Sequence, residues 1–267
     1  MSDLVAAAHI ASATVARVQE LLGQRRTAQR RGRQRATRVE PVDPDFVFFH
    51  LGKTGGGSVR QFLRPIRTRW AGVGHDGTLD GIATRWPGTP IVFFVRDPVT
   101  RFVSGFNNFR RGVVHKPLGK VPSQIELIAY TVFPTANHLA EALTSDDERM
   151  RSTAEWAMGS LGFLANHLTH NLDSPATVDR HLAQIALIGL FEEFADSVEA
   201  MRSALHLPDS LRLPEDESRA HRGLSHVPSG LSPAGRAAVA HWYRDDIAIY
   251  EHCCAIHRFQ MQGLRNA

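Results

Sequence analysis

The segment from His50 to Ser58 combines the residue types that bind an anion. It contains one lysine, two hydroxyl side chains and three consecutive glycines, which are Lys53, Thr54, Ser58, Gly55, Gly56 and Gly57. Consecutive glycines let backbone N–H groups converge on one anion, and the start of a following helix adds unpaired donors and partial positive charge. The segment therefore predicts a phosphate-binding turn, with a glycine-rich turn that binds nothing as the alternative.

The same segment partly matches the Walker A loop of nucleotide triphosphatases. Gly52, Lys53 and Thr54 spell the last three positions of that motif, but Val47 stands where its first glycine is required. The glycines here also follow the lysine instead of preceding it. A Mg²⁺-dependent triphosphatase is therefore disfavoured.

A second segment, Val95 to Phe106, has a similar layout. Arg96 follows an apolar run, and its planar guanidinium can hold a phosphate through two parallel hydrogen bonds. Ser104 lies two turns into the helix that Asp97 and Pro98 open, where it can donate a hydroxyl to the same anion. For Arg101 an acidic partner is the preferred interpretation, and a ligand role stays open. Together the two segments predict a ligand with two separate phosphate-type groups.

Short apolar runs position these segments. Residues 46–51 and 91–95 have the length and composition of buried strands, and residues 186–190 form a third run. Helical patterns follow them, at about 58–62, 98–111 and 194–205, and a long amphipathic helix begins at Ser232-Pro233. Alternating strands and helices predict an α/β fold with a parallel sheet covered by helices on both faces.

The two phosphate segments resemble the 5′-phosphosulfate and 3′-phosphate motifs of sulfotransferases that use 3′-phosphoadenosine 5′-phosphosulfate (PAPS). The match is closest to the carbohydrate type that includes heparan sulfate 2-O-sulfotransferase. The first motif of that type typically reads P-K-T-G-(G/T)-T-S and the second R-D-P-x-x-R-x-x-S. Residues 96–104 fit every fixed position of the second motif. In the first, Gly52 replaces proline, which is expected to loosen the loop, and Gly57 replaces threonine, which removes one hydroxyl.

This resemblance implies a P-loop-like three-layer α/β fold, PAPS as co-substrate and no metal. By matched position, the 5′-phosphosulfate would bind Lys53, Thr54, Gly55, Gly56, Gly57 and Ser58. The 3′-phosphate would bind Arg96 and Ser104. Lys53 would also act in catalysis, because its charge can stabilise the departing phosphate oxygen.

The acceptor hydroxyl needs a general base, and His75 is the candidate. It lies between the two motifs in a glycine-rich segment, and related sulfotransferases place a Gly-His pair in this interval. Asp76 is a possible orienting group for it. A stretch loosely similar to an acceptor-side segment contains Asn166, His167 and His170, for which capping or surface roles are favoured. A late loop with Arg219, His221 and Arg222 is a further candidate for closing over the adenosine.

Composition separates an N-terminal arm, residues 1–40, from a sulfotransferase domain, residues 41–267. Residues 1–39 hold eight arginines against Asp3 and Glu20, although the whole chain has a net charge of only +4. The arm is predicted to be a basic helix and linker with at most weak contact to an anionic surface. No specific nucleic-acid partner is expected for it, because it lacks aromatic residues for base stacking. Adjacent Cys253 and Cys254 cannot join distant segments, so a reducing compartment, the cytoplasm, is expected.

The function that these observations favour is sulfuryl transfer from PAPS to a hydroxyl of a carbohydrate, lipid or small-molecule acceptor. One alternative is a module that binds PAPS or its product without catalysis, since Gly57 lacks a hydroxyl. A kinase-like phosphoryl transferase is the other alternative, and the missing Walker glycine opposes it.

Overall fold

Four parallel strands lie at the centre of the fold. The computed structural model describes residues 43–67, 69–114, 123–213 and 230–265, all of which belong to one compact unit spanning residues 40–118 and 122–267. Its strands are β1 (Phe46–Phe49), β2 (Trp70–Val73), β3 (Ile91–Val95) and β4 (Ile185–Leu190). They are ordered β2-β1-β3-β4 across the sheet. The central pair is in register from Val47 opposite Ile91 to Phe49 opposite Phe93.

The described helices before residue 145 are α1 (Gly56–Phe62), α2 (Leu79–Arg85), α3 (Pro98–Val114), α4 (Gln124–Val132) and α5 (Ala136–Ala142). Those after it are α6 (Glu148–Ser160), α7 (Gly162–Ala165), α8 (Leu168–Leu172), α9 (Pro175–Arg180), α10 (Phe194–Ala204), α11 (Pro233–Trp242) and α12 (Arg244–Arg265). Short 3₁₀ turns cover Arg64–Ile66 and Leu182–Gln184.

Alternate residues of the central strands pack into different cores, because successive side chains of a strand point to opposite faces. Val47 and Phe49 of β1 join a core with α2, α8, α9 and α12. Phe46 and Phe48 join a second core with α1 and α10. A third core lies among α3 to α7 and α11. Helices on both faces of a parallel sheet confirm the predicted three-layer α/β fold.

The outer edge of β4 is covered by α12. Gln260 accepts a hydrogen bond from the Ile188 N–H at 3.0 Å and donates one to the Ile185 carbonyl at 3.2 Å. His257 donates from Nδ1 to the Ile188 carbonyl at 2.7 Å. These bonds satisfy backbone groups that an edge strand would otherwise leave unpaired.

The structure corrects several details of the sequence-based prediction. β1 ends at Phe49 instead of residue 51, α1 begins two residues before Ser58, and β2 was not predicted. The predicted single C-terminal helix is two helices separated at Tyr243, whose buried hydroxyl donates to the Leu164 carbonyl at 2.7 Å. The predicted arm, residues 1–40, and the late-loop candidates Arg219, His221 and Arg222 lie outside the described residues.

Candidate active site

The predicted site residues meet where the strands end. His50 and the glycine-rich loop follow β1, His75 follows β2, Arg96 follows β3, and Phe191 follows β4. All four strands are parallel, so these segments lie along one edge of the sheet. This is the edge at which open α/β sheets bind their ligands.

The loop after β1 turns through two left-handed backbone positions, Lys53 with φ 66° and Gly55 with φ 84°. A Cβ at Gly55 would lie 2.6 Å from the Phe194 ring, and one at Gly56 would collide with the His50 imidazole. Glycine is therefore required at both positions by close packing. Gly57 and Ser58 complete the first turn of α1.

Thr54 is used within the loop itself. Its side chain is buried, and the hydroxyl donates to the Leu51 carbonyl at 2.9 Å. That bond fixes the turn that carries Lys53, so the group that Thr54 can still offer a ligand is its backbone N–H.

Two arginines of the second motif hold consecutive carbonyl groups of this loop. Arg101 donates from Nε to the Gly52 carbonyl at 2.8 Å, and Arg96 donates from Nη1 to the Lys53 carbonyl at 3.5 Å. The two predicted anion-binding segments are thus physically joined.

Arg96 is held in a defined position. Its Nε donates to the Thr100 hydroxyl at 3.1 Å, and its guanidinium lies over the Phe191 ring at 4.1 Å. Burial lowers the pKa of Arg96, while the charges of Glu192 and Asp97 partly oppose that shift. Such a half-buried cation interacts strongly with an anion.

The helix that follows Arg96 begins as predicted. Asp97 Oδ1 accepts the Thr100 N–H at 2.8 Å, which caps α3, and Glu192 accepts the Asp97 N–H at 3.0 Å. Ser104 lies one turn beyond Thr100 on the same face of α3, because residues four apart share a helix face. The Ser104 hydroxyl is therefore on the face of α3 that carries Thr100, the residue that binds Arg96.

His75 is oriented by backbone groups. Its Nδ1 lies 3.0 Å from the His50 carbonyl oxygen, and since a carbonyl only accepts, Nδ1 carries the proton and Nε2 of the neutral ring keeps its lone pair. The His75 carbonyl accepts hydrogen bonds from the amides of Asn166 and Asn171, at 3.2 and 2.8 Å. The orienting group is therefore the His50 carbonyl and not Asp76.

The pKa of the His75 imidazole is lowered. Burial is the largest cause, the Arg60 and Arg101 charges act in the same direction, and the hydrogen bond to His50 and the Asp76 charge oppose them. His75 is therefore neutral near pH 7, which is the form that can accept a proton.

Arg101 is a structural residue of this site. It is 3% exposed, it donates from Nη2 to the Asn166 carbonyl at 2.6 Å, and its Nη1 lies 3.9 Å from Asp246. Asp246 is fully buried and also accepts the backbone N–H groups of Leu168 and Thr169. The prediction of an acidic partner for Arg101 is confirmed.

Asp246 and Phe163 were not singled out as site residues from the sequence. Asp246 had a signal, because it shares the buried face of α12 with Ile249 and Cys253. Phe163 had none, since its contact with Gly52 joins residues far apart in the chain. A Cβ at Gly52 would lie 2.8 Å from the Phe163 ring, so glycine makes room for that ring. Phe163 and Arg101 hold the loop that was expected to be loosened by the absence of proline.

Within the described ranges, no group of three or more His, Cys, Asp or Glu side chains could hold a metal ion. None of the helices described above is long and apolar enough to cross a membrane.

Comparison with known proteins gives one family. The model of the Sulfotransferase family matches residues 89–252, a range that includes Arg96, Ser104 and Asp246 but begins after the glycine-rich loop and His75. Searches of curated proteins and of solved structures found no match. Since the matched range is more than half of the 267 residues, the chain belongs to the Sulfotransferase family.

Proposed function

We propose that this protein transfers the sulfuryl group of PAPS to a hydroxyl group of an acceptor. The observation that carries the proposal is the contact between Arg96 Nη1 and the Lys53 carbonyl. It joins two segments suited to anions at the ends of adjacent parallel strands, as a nucleotide with separate 5′ and 3′ groups requires.

The residues present fit such a donor. Lys53, the backbone N–H groups of residues 54–57 and the Ser58 hydroxyl would hold the 5′-phosphosulfate, and Arg96 with Ser104 would hold the 3′-phosphate. Arg60 and Arg101 add positive charge near the loop: after burial, the Arg60 charge contributes to the lowered pKa of His50 and of His75, and the Arg101 charge to that of His75. PAPS would supply a sulfuryl group bonded to a phosphate oxygen, and that oxygen departs with the nucleotide.

His75 would serve as the general base. Its Nε2 lone pair would accept the proton of the acceptor hydroxyl as the acceptor oxygen bonds to sulfur, while the Nδ1–H stays on the His50 carbonyl. Lys53 would stabilise the negative charge that develops on the departing phosphate oxygen. These steps require no metal, and full turnover in EDTA would agree with that.

The acceptor is proposed only as a hydroxyl-bearing molecule. Resemblance to the carbohydrate type of the family makes sugars the first acceptors to test, before lipids and small molecules. Weak contact of the basic arm with an anionic surface stays a prediction.

The test is transfer of ³⁵S-labelled sulfate from PAPS to a panel of hydroxyl acceptors by the full chain, in EDTA, with His75→Ala and Lys53→Ala as controls. Labelled product that needs both side chains supports the proposal. Binding of 3′-phosphoadenosine 5′-phosphate (PAP) without transfer to any acceptor would instead favour a non-catalytic module. Transfer of ³²P from ATP that depends on Mg²⁺ would favour a phosphoryl transferase.

A further inference from the structure

The imidazole of His75 lies between two other rings. The centroid of the His50 ring is 4.6 Å from that of His75, with the planes tilted by 59°. The Phe163 ring contacts the His75 ring edge to face, with 5.0 Å between the centroids and 88° between the ring planes. One ring comes from the end of β1 and the other from α7, so two separate elements enclose the imidazole.

Both enclosing rings pack on glycines of the loop after β1. The His50 ring occupies the space that a Cβ at Gly56 would fill, and the Phe163 ring lies against Gly52. His50 also stacks on Phe48, at 6.0 Å between centroids. Because close-packed rings have little room to shift, the loop restrains both of these rings.

The backbone of His75 is tied to the same part of the chain as Phe163. The Asn166 side chain bonds the His75 carbonyl, and its own carbonyl accepts from buried Arg101. Asn171 bonds both the His75 and Gly77 carbonyls, at 2.8 and 2.7 Å. The rings therefore act on a residue whose main chain is already fixed, and what is left for them to restrain is rotation of the imidazole.

We propose that His50 and Phe163 are positioning residues that hold the His75 imidazole with Nδ1–H on the His50 carbonyl and Nε2 available as the base. This inference rests on the proposed function and extends it to two residues that would act through the base. A freely rotating imidazole would exchange Nδ1 with Cδ2 and Nε2 with Cε1, so it would spend only part of its time with Nδ1–H on the carbonyl and Nε2 in place. A misplacement of even 1 Å can cost a large factor in rate.

Charged groups around His75 come from several elements. Arg60 of α1 and Arg101 of α3 disfavour its protonation, Asp76 favours it, and the neighbouring His50 is itself held neutral by burial. Removing Phe163 admits water to the ring without altering any of these charges. The titration midpoint of His75 should therefore rise when Phe163 is shortened, because burial is the largest cause of its lowered pKa.

The test uses ¹⁵N-labelled full-length chain and long-range ¹H–¹⁵N spectra of histidine rings, with His75 assigned among the 14 histidines through a His75→Asn variant. The variants are Phe163→Leu, His50→Ala and the ring-conserving His50→Phe. Phe259→Leu is the matched control, because Phe259 is 78% exposed on α12. Circular dichroism and urea unfolding confirm that each variant is folded, whether or not it binds PAP.

The expected result is a wild-type His75 signal typical of the Nδ1–H tautomer, which becomes mixed in Phe163→Leu and His50→Ala. Their kcat should fall about 10- to 100-fold with PAP affinity within about threefold, whereas His50→Phe should keep most of the rate. Unchanged tautomer and titration in both disruptive variants would overturn the inference. If the spectra change as described and the wild type transfers no sulfate, the positioning stands and the proposed function is what fails.

Discussion

Arg101 Nε donates to the Gly52 carbonyl at 2.8 Å, and this bond ties the start of α3 to the glycine-rich loop 49 residues earlier in the chain. The same guanidinium reaches Asn166 and buried Asp246. One side chain thus joins both predicted anion-binding segments to Asn166, whose amide in turn bonds the His75 carbonyl. Its planar group with five N–H donors suits it to several acceptors at once.

Arg101→Lys should therefore destabilise the fold even though it keeps the charge. A lysine cannot reach all three partners, so buried acceptors lose their bonds, and we expect the free energy of unfolding to fall by about 2–4 kcal/mol. Urea unfolding followed by circular dichroism measures the change. The control is Arg244→Lys, because Arg244 and its partner Asp245 are mostly exposed. Equal effects of the two substitutions would refute a special role for Arg101.

Arg96→Ala should weaken PAP binding strongly. The loss of a two-bonded phosphate contact in a partly buried site is expected to raise Kd by about 10- to 100-fold, and Arg96→Lys should recover only part of that. Isothermal titration calorimetry with PAP gives Kd directly. Arg85→Ala is a matched control. The Arg85 guanidinium also lies over an aromatic ring, 4.3 Å from the centroid of Trp86, but it is outside the proposed site. A Kd unaffected by Arg96→Ala would place the 3′-phosphate elsewhere.

His50 makes stability depend on pH. Burial and then the Arg60 charge lower its pKa from 6.5 to about 3, and its buried Nδ1 has no hydrogen-bond partner among the described residues. Between those values the unfolded chain binds a proton that the folded chain does not. The free energy of unfolding should therefore fall as pH decreases from 6.5 towards 3, by at most about 1.4 kcal/mol per pH unit from this one group.

The variant His50→Phe removes that titration while keeping a ring. Urea unfolding at pH 7.5 and pH 4.5 should show a smaller acid-side loss in the variant than in the wild type. Some loss will remain, because the pKa of His75 is lowered too and acts with the same sign. An identical loss in both proteins would mean that His50 is protonated in the folded state at pH 4.5.

The sequence predicted the parts of this site that are local in the chain. Every residue of β1 and β3 is apolar and buried, and each strand leads into a predicted anion-binding turn, so both strands could be located by pattern alone. β2 contains only Trp70 and Val73 as large side chains and is half-buried, so its identity as a strand depends on pairing with β1.

The contacts that assemble the site could not be predicted, because they join distant positions. His75 was located by its interval between the motifs, but its partner is a main-chain carbonyl 25 residues away, which no side-chain pattern encodes. Gly52 and Phe163 are even farther apart in the sequence. The need for glycine at position 52 follows from its packing against the Phe163 ring, which the sequence alone does not show.

The most informative comparison concerns His75 and Lys53, which the proposed function assigns to different steps. A neutral imidazole with Nε2 available removes the proton only during reaction, so His75→Ala should lower kcat by about 10²–10⁴-fold and leave PAP Kd nearly unchanged. Lys53 carries a charge that acts on bound nucleotide and on the developing phosphate charge alike, so Lys53→Ala should impair both PAP binding and turnover.

Steady-state kinetics with an acceptor from the labelled-sulfate panel, together with calorimetry, separates these two patterns. His241→Ala is a suitable control for the loss of an imidazole, since His241 is an exposed histidine on α11 with no role in the proposed site. The pH profile of kcat supplies a second criterion, because a base whose pKa is lowered stays active below pH 6.5. If His75→Ala kept a normal kcat and the wild-type acid limb, another group would have to remove the acceptor's proton. The search for it would then begin at His167, whose Nδ1 lies 3.5 Å from buried Asp246.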